Sequence, residues 1–153
     1  TGGHNMLNNF SKHWKNLEKA GIITNQEFIN ATFTQHYRTI EEFRKPFEDQ
    51  NSKVSKSGLI LKSCKTMFTD CPFKVHYNSN KSTMTSKEFA ATLIPTMRSW
   101  SETVFKTALE KRNPDEINSI VDQFYNSYME EISSSPEGHA MDYIHVVMDI
   151  EKI

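Results

Sequence analysis

The 153-residue chain is poor in the features that announce a chemistry. It has only two cysteines, Cys64 and Cys71. Their spacing is not that of metal ligands, so both read as reduced packing residues of a cytoplasmic protein. No apolar run approaches the length of a membrane span, and no signal-peptide pattern opens the chain. Lysine and arginine are not clustered and the net charge is −1, which argues against nucleic acid as a partner, because phosphate binding needs basic patches. There is no glycine-rich phosphate loop, no HExxH and no nucleophile elbow. The six histidines, His4, His13, His36, His76, His139 and His145, are scattered, and no metal site is expected from them. His13 reads as a helix-face residue, and His139 as part of a loop. With 37% hydrophobic and 24% charged residues, the expectation is one soluble, globular domain.

What is present is helical periodicity. In "NMLNNFSKHWKNLEKAG", Met6, Leu7, Phe10, Trp14 and Leu17 recur at helical spacing, and Gly21 is a natural stop. A polar connector follows. "TIEEF" offers a capping box between Thr39 and Glu42, and Pro46 limits or kinks the helix behind it. Ser57-Gly58 introduces a strand, "LILKSCKTMF". Residues 70–85 read as loop, with Cys71-Pro72 as a strand end. Thr85 and Glu88 form a second capping box. The helix after it carries Phe89, Leu93, Met97, Trp100 and Val104 along one face, with Pro95 expected to break or bend it near Ile94. Asn113-Pro114-Asp115-Glu116 starts a last helix with Ile117, Ile120, Val121, Phe124, Tyr128 and Ile132 inward, and "SSSPEG" ends it. "MDYIHVVMDIEKI" closes the chain as a strand. The count is four or five helices and two strands far apart in sequence, and two lone strands make a marginal sheet.

The order of these segments resembles the C-terminal half of the plant-type carboxyl methyltransferases, the SABATH group. The matching stretches are "EKAGIITNQEF" for a helix ending in a Gly-Leu-Ile-like turn, and "ATFTQHY" for the connector. "MRSWSETVF" stands for the cap motif, with Met97, Arg98 and Glu102 in step, and "VDQFYNSYMEEI" and "DYIHVVMDIEK" stand for the last helix and strand. The resemblance implies an α/β chain, a fragment of a class I methyltransferase fold. An antiparallel strand pair would lie at a sheet edge with a helical cap inserted between its strands. Residues 1–70 would hold C-terminal helices and the edge strand of the core, 71–140 the cap that forms the substrate lid, and 141–153 the strand returning to the core sheet.

By the same resemblance, the methyl acceptor would be lined by Met6 and Leu7 on the first helix, His36 in the connector, Met97 and Trp100 on the cap helix, and Tyr143 on the last strand. A methionine among aromatics makes an adaptable apolar cavity. Each has a plainer reading: Met6, Leu7, Met97 and Trp100 as core of amphipathic helices, His36 as a solvated side chain. The chain departs from the family in "ATFT", which lacks the usual Phe and Pro, and in the size of Trp100.

The S-adenosylmethionine site and the residues that hold the acceptor carboxylate would lie in an N-terminal half absent from this sequence. The chain would therefore contribute a lid and an acceptor pocket, with no catalytic residue of its own. A carboxylate oxygen, already a nucleophile, would attack the sulfonium methyl in line, and the protein would supply alignment and a dry cavity. Another oxygen or nitrogen acceptor stays open, as does a homodimer. The opening "TGGHN" leaves two origins open, an appended segment or the interior of a longer protein. The competing reading is a non-catalytic helical binding module complete as it stands. Strand 59–68 should pair antiparallel with strand 143–150, with the near-continuously apolar terminal strand innermost and the lysine-bearing one at the edge. The free side of the terminal strand is where the absent half would dock. In this chain alone that side is expected to be exposed, covered by a neighbouring chain, or rearranged.

Overall fold

The computed structural model describes residues 2–34 and 36–153. It is a mixed α/β chain with seven helices and one two-stranded antiparallel sheet among the described residues. It divides into a helical unit, Thr1–Phe33 with Asp70–Asp142, and a strand unit, Thr34–Thr69 with Tyr143–Ile153.

In the helical unit, α1 (Gly2–Lys19) buries Phe10, Trp14 and Leu17. It ends where Ile22 N–H reaches Leu17 O at 3.0 Å and Gly21 N–H reaches Glu18 O at 2.9 Å. This closure needs the left-handed φ of +71° that Gly21 supplies. The polar connector expected next contains a helix, α2 (Asn25–Asn30), started by a Thr24–Glu27 capping box. The loop expected over 70–85 contains another, α5 (Pro72–Ser79). Cys71 is its N-cap, not a strand end, and Pro72 takes the first turn, where a missing N–H costs nothing. Tyr77 anchors α5 by stacking on Phe89 at 4.8 Å.

The break expected at Pro95 does not occur. Helix α6 (Ser86–Ala108) is continuous through it. The carbonyl that Pro95 leaves unpaired belongs to Ala91; both residues are on the exposed side, where water can satisfy it. The buried stripe of α6 also differs from the expected one. After Met97 it runs to Ser101, Phe105 and Ala108, because the inward row continues in steps of four from Phe89 to Phe105, and the three-residue step from Met97 to Trp100 leaves it, with Trp100 exposed and Val104 half-buried. Helix α7 (Pro114–Ser134) begins as expected, with the Asn113 side chain accepting from Glu116 N–H at 2.9 Å. It buries Tyr125 in addition to Ile120, Val121, Phe124, Tyr128 and Ile132.

In the strand unit, α3 (Ile40–Glu48) starts on the expected Thr39–Glu42 capping box and continues two residues beyond Pro46. A single turn, α4 (Lys53–Lys56), leads to Gly58. Gly58 has φ +74°, and a Cβ there would sit 2.7 Å from the Ile153 carbonyl oxygen. Only glycine allows the start of one strand to meet the end of the other so closely. The strands are β1 (Leu59–Thr69) and β2 (Tyr143–Lys152), paired antiparallel from Leu59↔Lys152 to Thr69↔Tyr143. A bulge lies between Leu61 and Ser63. The apolar run in β2 implied burial on both faces. No β2 residue is buried, and only Val146 and Met148 are half-buried, since a two-stranded sheet leaves β2 a single neighbour. Among the described residues, no helix is long and apolar enough to cross a membrane.

Candidate functional site

Two constellations stand out in the helical unit, one apolar and one polar. The apolar one is built around Phe10, which α1 points into the space between α6 and α7. Its ring lies 5.7 Å from Phe105, and 5.8 Å from each of Phe33, Phe124 and Tyr128. Trp14 packs on Phe105 at 4.9 Å, and its indole N–H donates to the Glu27 carbonyl oxygen at 3.3 Å. Toward the surface this ring stack ends in Trp100, 5.9 Å from Phe10 and 6.1 Å from Phe33. Trp100 is 39% exposed. With half-buried Phe33 it forms an aromatic ledge at the surface of the unit. Phe33 was not anticipated. Its signal was a ring between two threonines in the connector stretch "ATFTQHY", which also carries Tyr37.

The expected acceptor-lining residues fall as follows. Met6 and Leu7 are half-buried against the helical core. Met97 is fully buried within it, so it faces packed side chains. Trp100 is the cap-helix residue at the surface. His36 and Tyr143 belong to the strand unit and are exposed. The Tyr143 ring stacks on His145 at 5.8 Å. The structure thus groups Met6, Leu7, Met97 and Trp100 in one unit and leaves His36 and Tyr143 in the other.

The polar constellation joins α1, α7 and the turn after α7. Glu131 is its centre. Lys12 Nζ lies 2.5 Å from both of its carboxylate oxygens. His13 Nε2 is 3.0 Å from Oε2, and His139 Nε2 is 3.5 Å from Oε1. His13 Nδ1 is 2.9 Å from Ser127 Oγ. Asn9 Nδ2 lies 3.3 Å from both the Tyr128 hydroxyl and His139 Nδ1. Gly138, at φ +80°, turns the chain so that His139 enters this cluster. His13 is buried, where the sequence suggested a helix face, and the His139 loop position is buried too.

Burial sets the electrostatics here. It lowers both histidine pKa values, outweighing the attraction of Glu131. Burial also pushes Tyr128 up to about 12. Glu131 feels burial pulling its pKa upward, but the Lys12 hydrogen bond and charge prevail and hold it below the ordinary carboxylate value. At neutral pH the histidines are uncharged and Glu131 is ionised. His13 Nε2 sits off the line of a well-formed hydrogen bond despite its short distance to Glu131. Ser127, the His13 partner, also borders an open polar depression along α7 with Asn126 and Glu130. The cluster's chemistry is that of a joint between three segments, and among the described residues no group of His, Cys, Asp or Glu is arranged to hold a metal.

In the strand unit, a groove of about 490 Å³ runs along α3 and β1, lined by Arg44, Phe47, Leu59, Leu61 and Cys64 among others. The Arg44 guanidinium donates to the Cys64 carbonyl oxygen at 3.1 Å, so that cation is engaged in tying α3 to β1.

No model of a known protein family matches the chain, and no curated protein matches it significantly.

Proposed function

We propose that this chain is the acceptor-binding portion of an S-adenosylmethionine-dependent methyltransferase of class I fold, acting on the carboxylate, or another oxygen or nitrogen atom, of a small molecule. The observation that carries the reading is the topology. The antiparallel pair of β1 and β2 is interrupted in sequence by α5, α6 and α7, the order that the motifs "MRSWSETVF" and "DYIHVVMDIEK" imply. A second support is that Phe10 of α1 meets Trp100 of the cap helix at 5.9 Å within the helical unit.

When bound by the other half of such an enzyme, S-adenosylmethionine would supply an electrophilic methyl group. This chain's part is to hold the acceptor and exclude water. Trp100 and Phe33 offer a ring face for the acceptor's apolar body, and Met6 and Leu7 can line its side. A carboxylate needs no general base.

The complete core of the helical unit favours a second reading, a self-standing helical binding module. The polypeptide that joins this chain to an upstream strand, glycine-rich turn and helix decides between them. It should transfer labelled methyl from S-adenosylmethionine to a small carboxylic acid, and Trp100→Ala should alter acceptor preference more than cofactor affinity. The 153-residue chain alone should give no specific heat with S-adenosylmethionine in titration calorimetry. Clear micromolar binding by the chain alone, or no methyl transfer to any acid or amine, would overturn the proposal.

A further inference from the structure

The edge of β2 carries a pattern of its own. Among the described residues, β2 pairs with β1 on one side and with no strand on the other. Its apolar residues are open to water: Ile144 is 59% exposed, Ile150 42% and Val147 37%. Proteins protect such edges with lysines, prolines or bulges. Strand β1 has these devices, with Lys62, Lys65 and a bulge after Leu61. Strand β2 has no lysine before Lys152, no proline and no bulge.

We propose that the free edge of β2 is a self-association surface, and that β2 of a second copy pairs with it antiparallel about a two-fold axis at Val147. The register follows from geometry. Backbone groups of alternate residues point to the same edge, so across a two-fold only residues of like parity face each other. Centred on Val147, Ile144 faces Ile150 of the second copy, Val146 faces Met148, and His145 faces Asp149, each twice. Apolar meets apolar, and the one acid in the middle of the strand meets a hydrogen-bond donor. Moving the centre to Val146 sets Asp149 against Tyr143 and His145 against Val147. Moving it to Met148 sets Asp149 against Val147 and Lys152 against Ile144. Only the Val147 register satisfies both the charges and the apolar pairs. The pairing consumes the unprotected edge of each copy and leaves the lysine-bearing β1 edges outward, so it closes at two chains.

The inference concerns the chain with this edge free; in the methyltransferase reading the absent half of the sheet would take the same edge, so dimerisation is tested on the 153-residue chain and methyl transfer on the longer polypeptide. Sedimentation equilibrium on the 153-residue chain should give twice the 17.7 kDa chain mass in the micromolar range. Val147→Lys places two lysines on the axis and should give a monomer with unchanged far-ultraviolet circular dichroism. His145→Asp sets acid against acid and should weaken association about tenfold. The swap His145→Asp with Asp149→His restores the pair and should restore the dimer. A wild-type chain that stays monomeric, or a dimer indifferent to Val147→Lys and to the charge swap, would overturn it.

Discussion

The two units of this chain are built from similar local signals and differ in what lies beneath them. The helical unit owns the whole hydrophobic core cluster, from Phe10 to Met141. In the strand unit the only buried side chain among the described residues is Cys64. Yet α3 in the strand unit has the same kind of capping box as α6 in the helical unit. The difference teaches that local signals start elements and burial holds them. Two long strands and a short helix bury too little apolar surface to offset the entropy of ordering them.

The largest expected effect separates the units directly. Trp14 is 1% exposed against Phe105 and Phe124, so Trp14→Ala should cost about 3–5 kcal/mol in urea unfolding. Met67 in β1 is 48% exposed, and Met67→Ala should change the same measurement by less than about 1 kcal/mol. Comparable losses would mean that the sheet carries a core of its own.

A second test probes what closes the helical unit at one end. Arg112, just before α7, clamps Glu27 of α2 through contacts of 2.6 and 2.7 Å and also donates to the Ile22 carbonyl oxygen at 3.0 Å. The Arg112 hydrogen bonds hold Glu27 at about 2, against an ordinary value of 4.5. A depressed acid stabilises the fold above its unfolded pKa, and that contribution fades as pH falls from 4.5 toward 2. Glu27→Gln should cost about 2 kcal/mol at neutral pH and remove this part of the acid dependence. Equal acid slopes in the variant and the parent would sink the assignment.

Much of this fold is legible in the sequence. Caps at Thr39, Thr85 and Asn113 are short-range chemistry, and they appeared where the residues indicated. The missed elements have separate causes. The Thr24–Glu27 box that starts α2 was readable but lay in a stretch too polar to suggest a helix. Helix α5 was hidden by Cys71-Pro72, which reads equally as punctuation or as a helix start. Pro95 misled because sequence does not tell whether the orphaned carbonyl meets water. The candidate site was less legible. The Phe10 ring cluster and the Glu131 joint bring together residues as far apart as Phe10 and Tyr128 or Asn9 and His139, and no periodicity within one helix reveals them.

The Glu131 joint gives a third, smaller test. His13 and His139 are held neutral by burial, with Glu131, Lys12, Lys74 and Tyr128 the charged or titratable groups around them. The unfolded chain binds protons on these histidines below about pH 6.5, while the folded chain resists. Stability is therefore full above that pH and declines as pH falls below it. His13→Gln should flatten the decline, read as the urea midpoint from pH 7 to 5. A variant with the parent's slope would place the acid sensitivity elsewhere.

The smallest effect is also the sharpest on the comparison, because it makes one chemical change in each unit. Thr85 and Thr39 both accept the backbone N–H of a glutamate three residues on, at 3.2 Å, and both receive that glutamate's carboxylate at 2.7 Å on their own N–H. Removing either hydroxyl should weaken its helix start by about 1 kcal/mol. Helix α6 is packed along its length into the core, so losing its cap must lower the stability of the whole helical unit. Thr85→Ala should shift the urea midpoint accordingly. Helix α3 buries no residue, so its opening need not wait for global unfolding. Thr39→Ala should leave the midpoint in place and speed hydrogen exchange of the α3 amides about fivefold. If both substitutions moved the midpoint equally, the strand unit would unfold with the helical one, and the contrast between a unit with a core and one without would fail.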